Sequence, residues 1–542
     1  MIGTIANRVR DEALRRATVR HRPMLALDDP APRPAAAREP WWRLLRDARV
    51  LVMLALGFAA GLPLLLIFSS LSLWLGEAGV ERRAVTFFSW AALAYSFKFV
   101  WAPLVDRLPL PGLTARLGRR RGWLLLAQLG VIGAILGMAA TDPAAGSAAL
   151  VRMAAFAVLL GFASATQDIV IDAYRIELAP PERQGLLAAA YVAGYRLGMV
   201  VSGAGVLFLA AAWGSAKGAY AYEAWAAAYA AAAAAMLLGV LTTLLAPEPP
   251  VSAAAGAAPA GGHARLLAVF LLAVAAFVAV FWGVGAGYTR LGWSGLSALP
   301  ALLLEALRLS AALAAAFGVG ALLVRAGLAS RAAARETWVE PVRAFFARHG
   351  VRDAALLLAL IGTYRIADIV LGVISNVFYQ DLGFAKPDIA AAVKTFGVVV
   401  SIAGGFVGGV LATRLGVLRA LGWGALLAAL TNLGFVALAL AGPVRWGLYA
   451  VVAADNLAAG LASAAFVAFL SSLTQVRFTA AQYAIFSSLM TLLPKALGGY
   501  AGALVDALGY PGFFVLTTLL GLPALALVAW VGRRWGRSGE HP

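Results

Sequence analysis

The sequence predicts an all-α polytopic membrane protein with about fourteen transmembrane helices, arranged as two six-helix halves with two inserted helices between them. Of its 542 residues, 62% are hydrophobic and 13% are charged, whereas a soluble globular protein is nearer half apolar and a quarter charged. Apolar runs long enough to cross a bilayer recur along the chain. The Lys and Arg residues behind the net charge of +18 fall in the short loops between those runs, which is typical of a membrane protein with positive cytoplasmic loops.

The first half is predicted over residues 50–246, after an Arg- and Pro-rich extension at residues 1–49. The extension has no apolar signal-peptide core before Trp41, so we expect it to stay in the cytoplasm. Six apolar runs follow, over about residues 50–75, 84–103, 122–140, 152–176, 186–213 and 223–245. The first run contains Gly57, Gly61 and Pro63, and we expect it to bend and to pack centrally, where neighbouring helices satisfy its backbone.

Between the halves, Pro, Ala and Gly residues predict a linker over residues 247–263. Two further apolar runs predict inserted helices within residues 264–326, and a charged cytoplasmic segment follows at residues 327–352. The second half is predicted over residues 353–533, before a cytoplasmic tail at residues 534–542. Its six runs end near residues 378, 411, 440, 473, 508 and 531.

This span count puts all the Arg-rich loops on one side of the membrane. With the N-terminus inside, the loops at residues 107–121, 325–352, 414–419 and 533–537 are all cytoplasmic, so both termini are predicted to be cytoplasmic. A basic loop follows the second helix of each half. That is the layout of major facilitator transporters, whose substrate site lies near the midplane between the halves.

The stretch Ser164–Arg175, SATQDIVIDAYR, carries charge inside an apolar run. Asp168, Asp172 and Arg175 are spaced so that a helix places them on one face. Ionisable residues inside a span are costly and mark functional sites by default. We therefore predict a proton-titrating stripe on the wall of a transport cavity. The alternative is a buried network that only holds helices together.

Arg196 on the fifth run is predicted to complete the proton-coupling group. Counted from the cytoplasmic surface, Asp168 and Arg196 lie at similar depth, so we expect them to meet. The two aspartates would titrate as a coupled pair. The alternative is a permanent ion pair between Asp168 and Arg196 that never releases a proton.

Several runs resemble AmpG-type muropeptide permeases. In the first half these are GFAAGLPLLLIFSSLSLWLGEAGV, YSFKFVWAPLVDR with GRRRGW, and SATQDIVIDAYRIELAPPERQG with YVAGYRLGMVVSG; in the second they are EPVRAFF, YRIADIVLG, AAVKTFG and DNLAAGLASAAFVAFLSSLT. The resemblance implies a major facilitator symporter of the bacterial inner membrane. It would import sugar-anhydromuropeptides with protons for cell-wall recycling and influence β-lactamase induction. The family is also similar to acetyl-CoA transporters.

Muropeptides carry carboxylates, so cations and polar groups inside the spans are candidate ligands. The predicted substrate-binding residues are Lys98, Gln167, Arg175, Tyr195, Arg365, Asp368, Lys394, Asp455, Asn456 and Lys495. For Arg365 and Asp368 a local ion pair is the alternative, and Lys394 could instead extend to the membrane surface. The basic loop after the second run predicts a gating ion-pair network, and its residues are Asp106, Arg107, Arg119, Arg120 and Arg121.

Other functional classes have little support. The chain has no cysteine, its four histidines fall in predicted loops or termini, and it lacks the sequence motifs of serine hydrolases and zinc peptidases. We therefore expect that the protein is not an enzyme and that it binds no metal, cofactor or nucleic acid. We expect a monomer in the bilayer, with a glycopeptide and protons as its ligands. A carrier of another bulky anion and a non-transporting receptor are the alternatives.

Overall fold

The computed structural model describes residues 47–80, 95, 97–216, 218–250, 262–292, 298–498 and 500–535. The predicted all-α fold is confirmed, since the only β-pairing among these residues is one isolated bridge between Ala216 and Ala219. The principal helices are α1 (Ala48–Glu77), α2 (Ala102–Arg107), α3 (Arg119–Ala139), α4 (Ser147–Leu178), α5 (Pro181–Ala212), α6 (Tyr222–Leu245), α7 (His263–Arg290), α8 (Ala298–Arg325), α9 (Val351–Asp381), α10 (Ala390–Leu415), α11 (Val417–Ala441), α12 (Arg445–Leu473), α13 (Thr479–Gly498), α14 (Ala501–Leu520) and α15 (Leu522–Trp535).

Twelve helical stretches of the described chain are long and apolar enough to cross a bilayer. They are α1, the helices from α3 to α12, and the run Leu504–Arg534. The second predicted span lies mostly outside the described residues. The other, predicted to end near residue 508, corresponds to α13, which is 20 residues long but is not among these twelve. These two segments account for the difference from the predicted fourteen.

α1 and α5 pack with their backbones in contact. A Cβ atom on Gly61 of α1 would lie 2.0 Å from the carbonyl oxygen of Tyr195, and a Cβ on Gly194 of α5 would lie 1.9 Å from that of Leu54. Only glycine allows so close an approach between helices. The contact fixes the register of α5 against α1, and with it the position of the α5 tyrosines. As predicted, α1 is central, with 61% of its apolar window buried.

Glycine also lets the two halves touch. We call α1–α6 the N-terminal half and α9–α15 the C-terminal half. A Cβ on Gly409 of α10 would lie 2.7 Å from the carbonyl oxygen of Gly185 on α5. A Cβ on Gly185 would in turn lie 2.8 Å from the Cβ of Ala412. The halves are therefore in van der Waals contact along α5 and α10.

The inserted helices α7 and α8 lean mainly on each other. Only 11% of the apolar window of α7 is buried, against 83% for α12 of the C-terminal half. A small core at the base of the hairpin contains Leu266, Val269 and Ala329, with Trp338 packed against it. Trp338 belongs to residues 331–349, a continuous helical segment that we call the strap.

We expect Gly61→Ala to lower the thermal transition of the purified protein by overpacking. The new methyl group would overlap a backbone carbonyl, which cannot move like a side chain, and overpacking of this kind costs about 1–3 kcal/mol. Gly133→Ala on α3 is the matched control, since nothing lies within 4 Å of its Cβ position. Equal transitions for the two variants in a detergent melting experiment would contradict the packing described here.

Candidate functional site

The charged stripe of α4 is buried in the helix bundle. Asp168, Asp172 and Arg175 are 6%, 5% and 0% exposed, and Ser164 is 0% exposed. α4 is helical through the whole stretch, so the three charges share one face, as the spacing predicts. Ionised groups so far from water need opposite charges or hydrogen bonds nearby.

Lys98 faces the α4 carboxylates. The chain before α2 forms a 3₁₀ turn, Lys98–Val100, and the lysine Nζ lies 3.8 Å from Oδ2 of Asp172. The same ammonium acts on Asp168, whose Oδ1 is buried without a hydrogen-bond partner among the described residues. We predicted Lys98 as a substrate ligand; the structure makes it the counter-ion of the two aspartates, since their charges need compensation.

Arg196 does not meet Asp168, so this part of the prediction is wrong. The charged groups around Arg196 are Arg365, Asp368 and Asp455 of the C-terminal half. None of them belongs to the set around Asp168. Equal depth in the membrane led to the prediction, but depth does not fix the direction of a side chain around its helix axis. Consecutive residues of a helix point about 100° apart.

Tyrosines from three helices surround the α4 carboxylates. Tyr191 and Tyr195 of α5 and Tyr483 of α13 all lie within electrostatic reach of both aspartates. The hydroxyl of Tyr95 hydrogen-bonds that of Ser164. Of these tyrosines the sequence predicts only Tyr195 as a site residue, although Tyr191 lies one helical turn from it on the same helix. These hydroxyls could donate hydrogen bonds to a carboxylate or relay a proton.

Arg175, a predicted substrate ligand, is bonded to protein groups in this structure. Its Nη1 donates to Ser471 Oγ of α12 at 2.7 Å and to Gln184 Oε1 of α5 at 3.2 Å. Its Nη2 lies 3.3 Å from Asp172 Oδ1, and the guanidinium lies 5.3 Å from the ring centroid of Tyr483. The side chain is fully buried, and its Nε has no hydrogen-bond partner among the described residues. It joins the α4 acid to the C-terminal half.

A second charged cluster lies at a break in α9. Helical residues stop at Thr363 and resume at Ile366, and the break places Arg365 against α12, where its Nη1 donates to Ser463 Oγ at 2.6 Å. The local ion pair with Asp368, left open by the sequence, is formed. The Nε of Arg365 is buried without a hydrogen-bond partner among the described residues, so the guanidinium keeps a buried donor that no protein group uses.

The other predicted substrate ligands differ in their surroundings. Gln167 is fully buried, and both of its amide atoms lack partners within the described chain. Asp455 is half-buried near the second cluster. The Nδ2 of Asn456 donates to a backbone carbonyl of its own helix. Lys495 is exposed, and the side chain of Lys394 lies outside the described part of the structure.

Asp106 connects the two halves at the end of the bundle that carries the basic loops. Its carboxylate accepts from Arg120 Nη2 at 2.8 Å and from the backbone N–H groups of Ala480 and Ala481 at 3.1 and 2.9 Å. Those N–H groups belong to the first turn of α13, which begins at Thr479. Free N–H groups and the helix dipole both favour an anion at this position.

Glu177, at the end of α4, holds the same arginines. Arg120 donates to it through Nε at 3.0 Å and Nη2 at 2.6 Å, and Arg119 Nη2 lies 3.4 Å away. Arg119 also donates to the backbone oxygen of Asp106 at 2.9 Å. The predicted ion-pair network is therefore formed by these residues, and one carboxylate in it, Asp106, bonds directly to the C-terminal half.

Glu336 of the strap adds a second bridge between the halves. It lies 2.6 Å from Arg107 Nη2 of the N-terminal half and 2.8 Å from Arg477 Nη2 of the C-terminal half. The hydrogen bond from Arg107 holds the pKa of Glu336 below its ordinary value. Because the pKa of Glu336 is lowered, its carboxylate stays ionised at neutral pH and is protonated only at a pH below the ordinary range of a glutamate. The bridge is therefore constant at neutral pH.

Arg121, which is also predicted to take part in the gate, bonds within the N-terminal half in this structure. Its side chain donates to the carbonyls of Thr243 and Leu244 at 2.8 and 2.5 Å. Its backbone N–H donates to Glu248 Oε2 at 3.0 Å. All three partners belong to the end of α6 and the chain just after it. Arg121 satisfies the last carbonyls of α6, as basic residues near helix ends commonly do.

The arrangement has two chemical capacities. The buried carboxylates of Asp168 and Asp172 have the chemistry to exchange protons. The guanidinium groups of Arg196 and Arg365 have the chemistry to bind an anion. The basic end of the bundle is closed by contacts between the halves. Among the residues that the structure describes, no group of three His, Asp or Glu side chains could hold a metal ion.

We expect Asp106→Asn to open the basic end. The amide keeps the shape of the carboxylate but loses the charge that attracts Arg120 and the α13 N-terminus, and each such hydrogen bond is worth about 1.5–3 kcal/mol. The chain has no cysteine, so an introduced Ala481→Cys would be its only thiol, at a site that is 1% exposed. Its labelling should rise about tenfold or more with Asp106→Asn.

Asp142→Asn is the control for this measurement, because Asp142 caps a short turn within the N-terminal half. A labelling rate unchanged by Asp106→Asn, or raised equally by Asp142→Asn, would show that Asp106 does not hold the halves together.

Comparison with known proteins gives consistent results. A family model described as acetyl-coenzyme A transporter 1 matches residues 49–217. The chain is 30% identical to the anhydromuropeptide permease of Escherichia coli K12, over 90% of this chain and 80% of that protein. It is 28% identical to a Rickettsia felis protein designated AmpG 4, over 91% of this chain and 98% of the relative. These relatives are transporters, not enzymes.

The fold has solved counterparts. The proton:xylose symporter XylE of the major facilitator superfamily superposes with a TM-score of 0.57 at 15% identity, over 89% of this chain and 95% of that one. The resemblance in sequence to muropeptide permeases and the likeness in fold to major facilitator transporters agree with the helical arrangement above. The chain is a multi-pass membrane transporter with the fold of major facilitator proteins, and it belongs to the AmpG-type anhydromuropeptide permease family.

Proposed function

We propose that the protein imports sugar-anhydromuropeptides with protons across the bacterial inner membrane. One observation carries the proposal: a buried pair of carboxylates, Asp168 and Asp172, is tied through Arg175 to a helix of the other half. An acid at this position can sense a proton and pass the effect to the interface that must open. The relative from Escherichia coli, named an anhydromuropeptide permease, supports the choice of substrate.

The second cluster is the proposed substrate site. Arg196 and Arg365 come from different halves and act on each other electrostatically, with Asp368 and Asp455 as the acids beside them. Muropeptides bear carboxylates, which arginine binds through paired hydrogen bonds. Gln167, Tyr195, Lys394, Asp455, Asn456 and Lys495 remain proposed ligands for the rest of the substrate.

The direction of transport follows from the basic loops. By the positive-inside rule these loops, and both chain termini, lie in the cytoplasm. The closed end of the bundle is then the cytoplasmic end, and the conformation described here is closed toward the cell interior. Such a state is the one that receives a substrate from the periplasmic side. We propose that the protein works as a monomer in the bilayer.

The proposed coupling step is local. A proton arriving on Asp168 lowers the negative charge of the Asp168–Asp172 pair, which attracts Lys98 and, through Asp172, Arg175. The attraction that holds Arg175 then weakens, and its hydrogen bond to Ser471 is held less firmly in place. Because Glu177 lies two residues further along α4, the same change reaches the Arg119 and Arg120 contacts of the gate. Protonation would therefore weaken the contacts that close the cytoplasmic end.

A second candidate function is carriage of acetyl-CoA or another bulky anion. The match of residues 49–217 to an acetyl-coenzyme A transporter model favours it. The charge requirement is similar, so the second cluster fits both substrates. Uptake by the purified protein in proteoliposomes, with labelled anhydromuropeptide and with acetyl-CoA as competitor, separates the two. Uptake of acetyl-CoA but not of anhydromuropeptide would replace the first proposal with the second.

We expect Asp168→Asn to abolish proton-driven accumulation of anhydromuropeptide in proteoliposomes while leaving exchange of labelled for unlabelled substrate. The amide resembles a carboxyl that never releases its proton. The protein can therefore still exchange substrate across the membrane, but it cannot use the proton gradient to accumulate it. Asp506→Asn, at an exposed position of α14, should behave like the unchanged protein. Undiminished accumulation by Asp168→Asn would exclude this aspartate as the proton carrier.

We expect Ser471→Ala to reduce proton-driven uptake about tenfold, because a hydrogen bond to a charged group is worth about 1.5–3 kcal/mol. Exchange without a pH gradient should change less, because the lost contact between Arg175 and Ser471 is the one that carries the effect of protonation to the other half. Ser472→Ala is the matched control, as its hydroxyl donates to a carbonyl of its own helix. A merely structural role for Ser471 would lower uptake and exchange equally.

A further inference from the structure

The inner face of the strap forms hydrogen bonds with both halves. Trp338 Nε1 donates to the carbonyl of Val100 at 3.0 Å, and Gln482 Nε2 of α13 donates to the carbonyl of Pro341 at 2.9 Å. Thr337, Pro341 and Phe345 are buried. The strap therefore has a fixed rotation about its own axis, and its opposite face points away from the bundle.

That opposite face combines free arginines with exposed valines. It contains Arg331, Arg335, Val339, Val342 and Arg343, and we call it the docking face. The two valines are 51% and 42% exposed. All three arginines are exposed, and none has a hydrogen bond, ion pair or aromatic contact among the described residues. Arg120 at the same end is paired with acids, whereas these three arginines have no acidic partner among the described residues.

The position of the docking face indicates its partner. The strap lies between the end of α8 at Arg325 and the start of α9 at Val351, and both helices are apolar enough to cross the bilayer. It therefore lies where two helices leave the membrane, at headgroup level. Two further exposed arginines, Arg348 and Arg352, follow beside it. A surface that alternates arginine with aliphatic side chains at this level is suited to bind anionic headgroups and to insert its apolar groups among the acyl chains.

We propose that the docking face binds anionic phospholipid headgroups of the surrounding bilayer. The guanidinium groups hydrogen-bond lipid phosphates in pairs, and the valines contact the upper acyl chains. The strap needs no ordering for this, since the bundle already holds it in place. The proposal is independent of the transported substrate.

The test uses the full-length protein with Val339→Cys as its only thiol, labelled with a polarity-sensitive fluorophore and reconstituted into nanodiscs. With phosphatidylglycerol added to phosphatidylcholine, the emission should shift to the blue, and raised salt should reduce the shift through screening. Arg331→Gln, Arg335→Gln and Arg343→Gln together should remove the shift. Each arginine near an anionic surface contributes roughly fivefold in binding.

The matched control removes three exposed arginines from other basic loops, Arg414→Gln, Arg419→Gln and Arg533→Gln. This variant has the same net charge as the test variant and should keep the shift. The proposal is overturned if phosphatidylglycerol causes no shift, or if the control variant loses it equally. A shift produced by a soluble polyanion in phosphatidylcholine nanodiscs, but not by phosphatidylglycerol, would also overturn it and point to a soluble acidic partner.

Discussion

The structure depends on how charge is compensated where water cannot reach it. An isolated charge in the middle of a membrane protein is costly, and removing one member of a buried pair costs about 3–5 kcal/mol. Arg175 is fully buried, and its partners come from three helices: Asp172 of α4, Gln184 of α5 and Ser471 of α12. The group that compensates the acid is thus also a contact between the halves. Under the proposed function, this one side chain links the ionisation of the site to the closure of the bundle.

Charge is compensated in the same way in the ion-pair network around Asp106, at the basic end of the bundle. The carboxylate of Asp106 lies on the free N–H groups of the α13 N-terminus and also pairs with Arg120. A helix N-terminus attracts an anion without needing a lysine or arginine of its own. Opening of this end under the proposed function would separate α13 from α2, and the contacts of the α13 side chains Gln482 and Tyr483 would change with it. Because α4 carries Arg175 and, two residues later, Glu177, a small shift of α4 affects the site and the gate together.

Periodicity and hydropathy predicted the helices, the burial of the α4 stripe and most of the basic network. These properties depend on neighbours in sequence, since spacing determines which residues share a helix face. The partners of each face could not be predicted in this way. Depth suggested that Arg196 meets Asp168, but packing turns it toward Arg365. The bridge made by Glu336 depends on where the strap crosses the bundle, and the loop sequences do not contain that information.

The separation of the two charged clusters bears on how coupling would work under the proposed function. If proton and substrate shared one carboxylate, they would compete for it. Here the proton site lies on α4 and is compensated by Lys98, whereas the proposed anion site uses Arg196 and Arg365 from opposite halves. Each ligand therefore changes the charge balance at the interface of the halves through different residues. Both can bind at once, and their effects combine at the interface, since coupling requires only that each ligand prefers the same state. An arrangement of this kind produces symport without direct contact between the proton and the substrate.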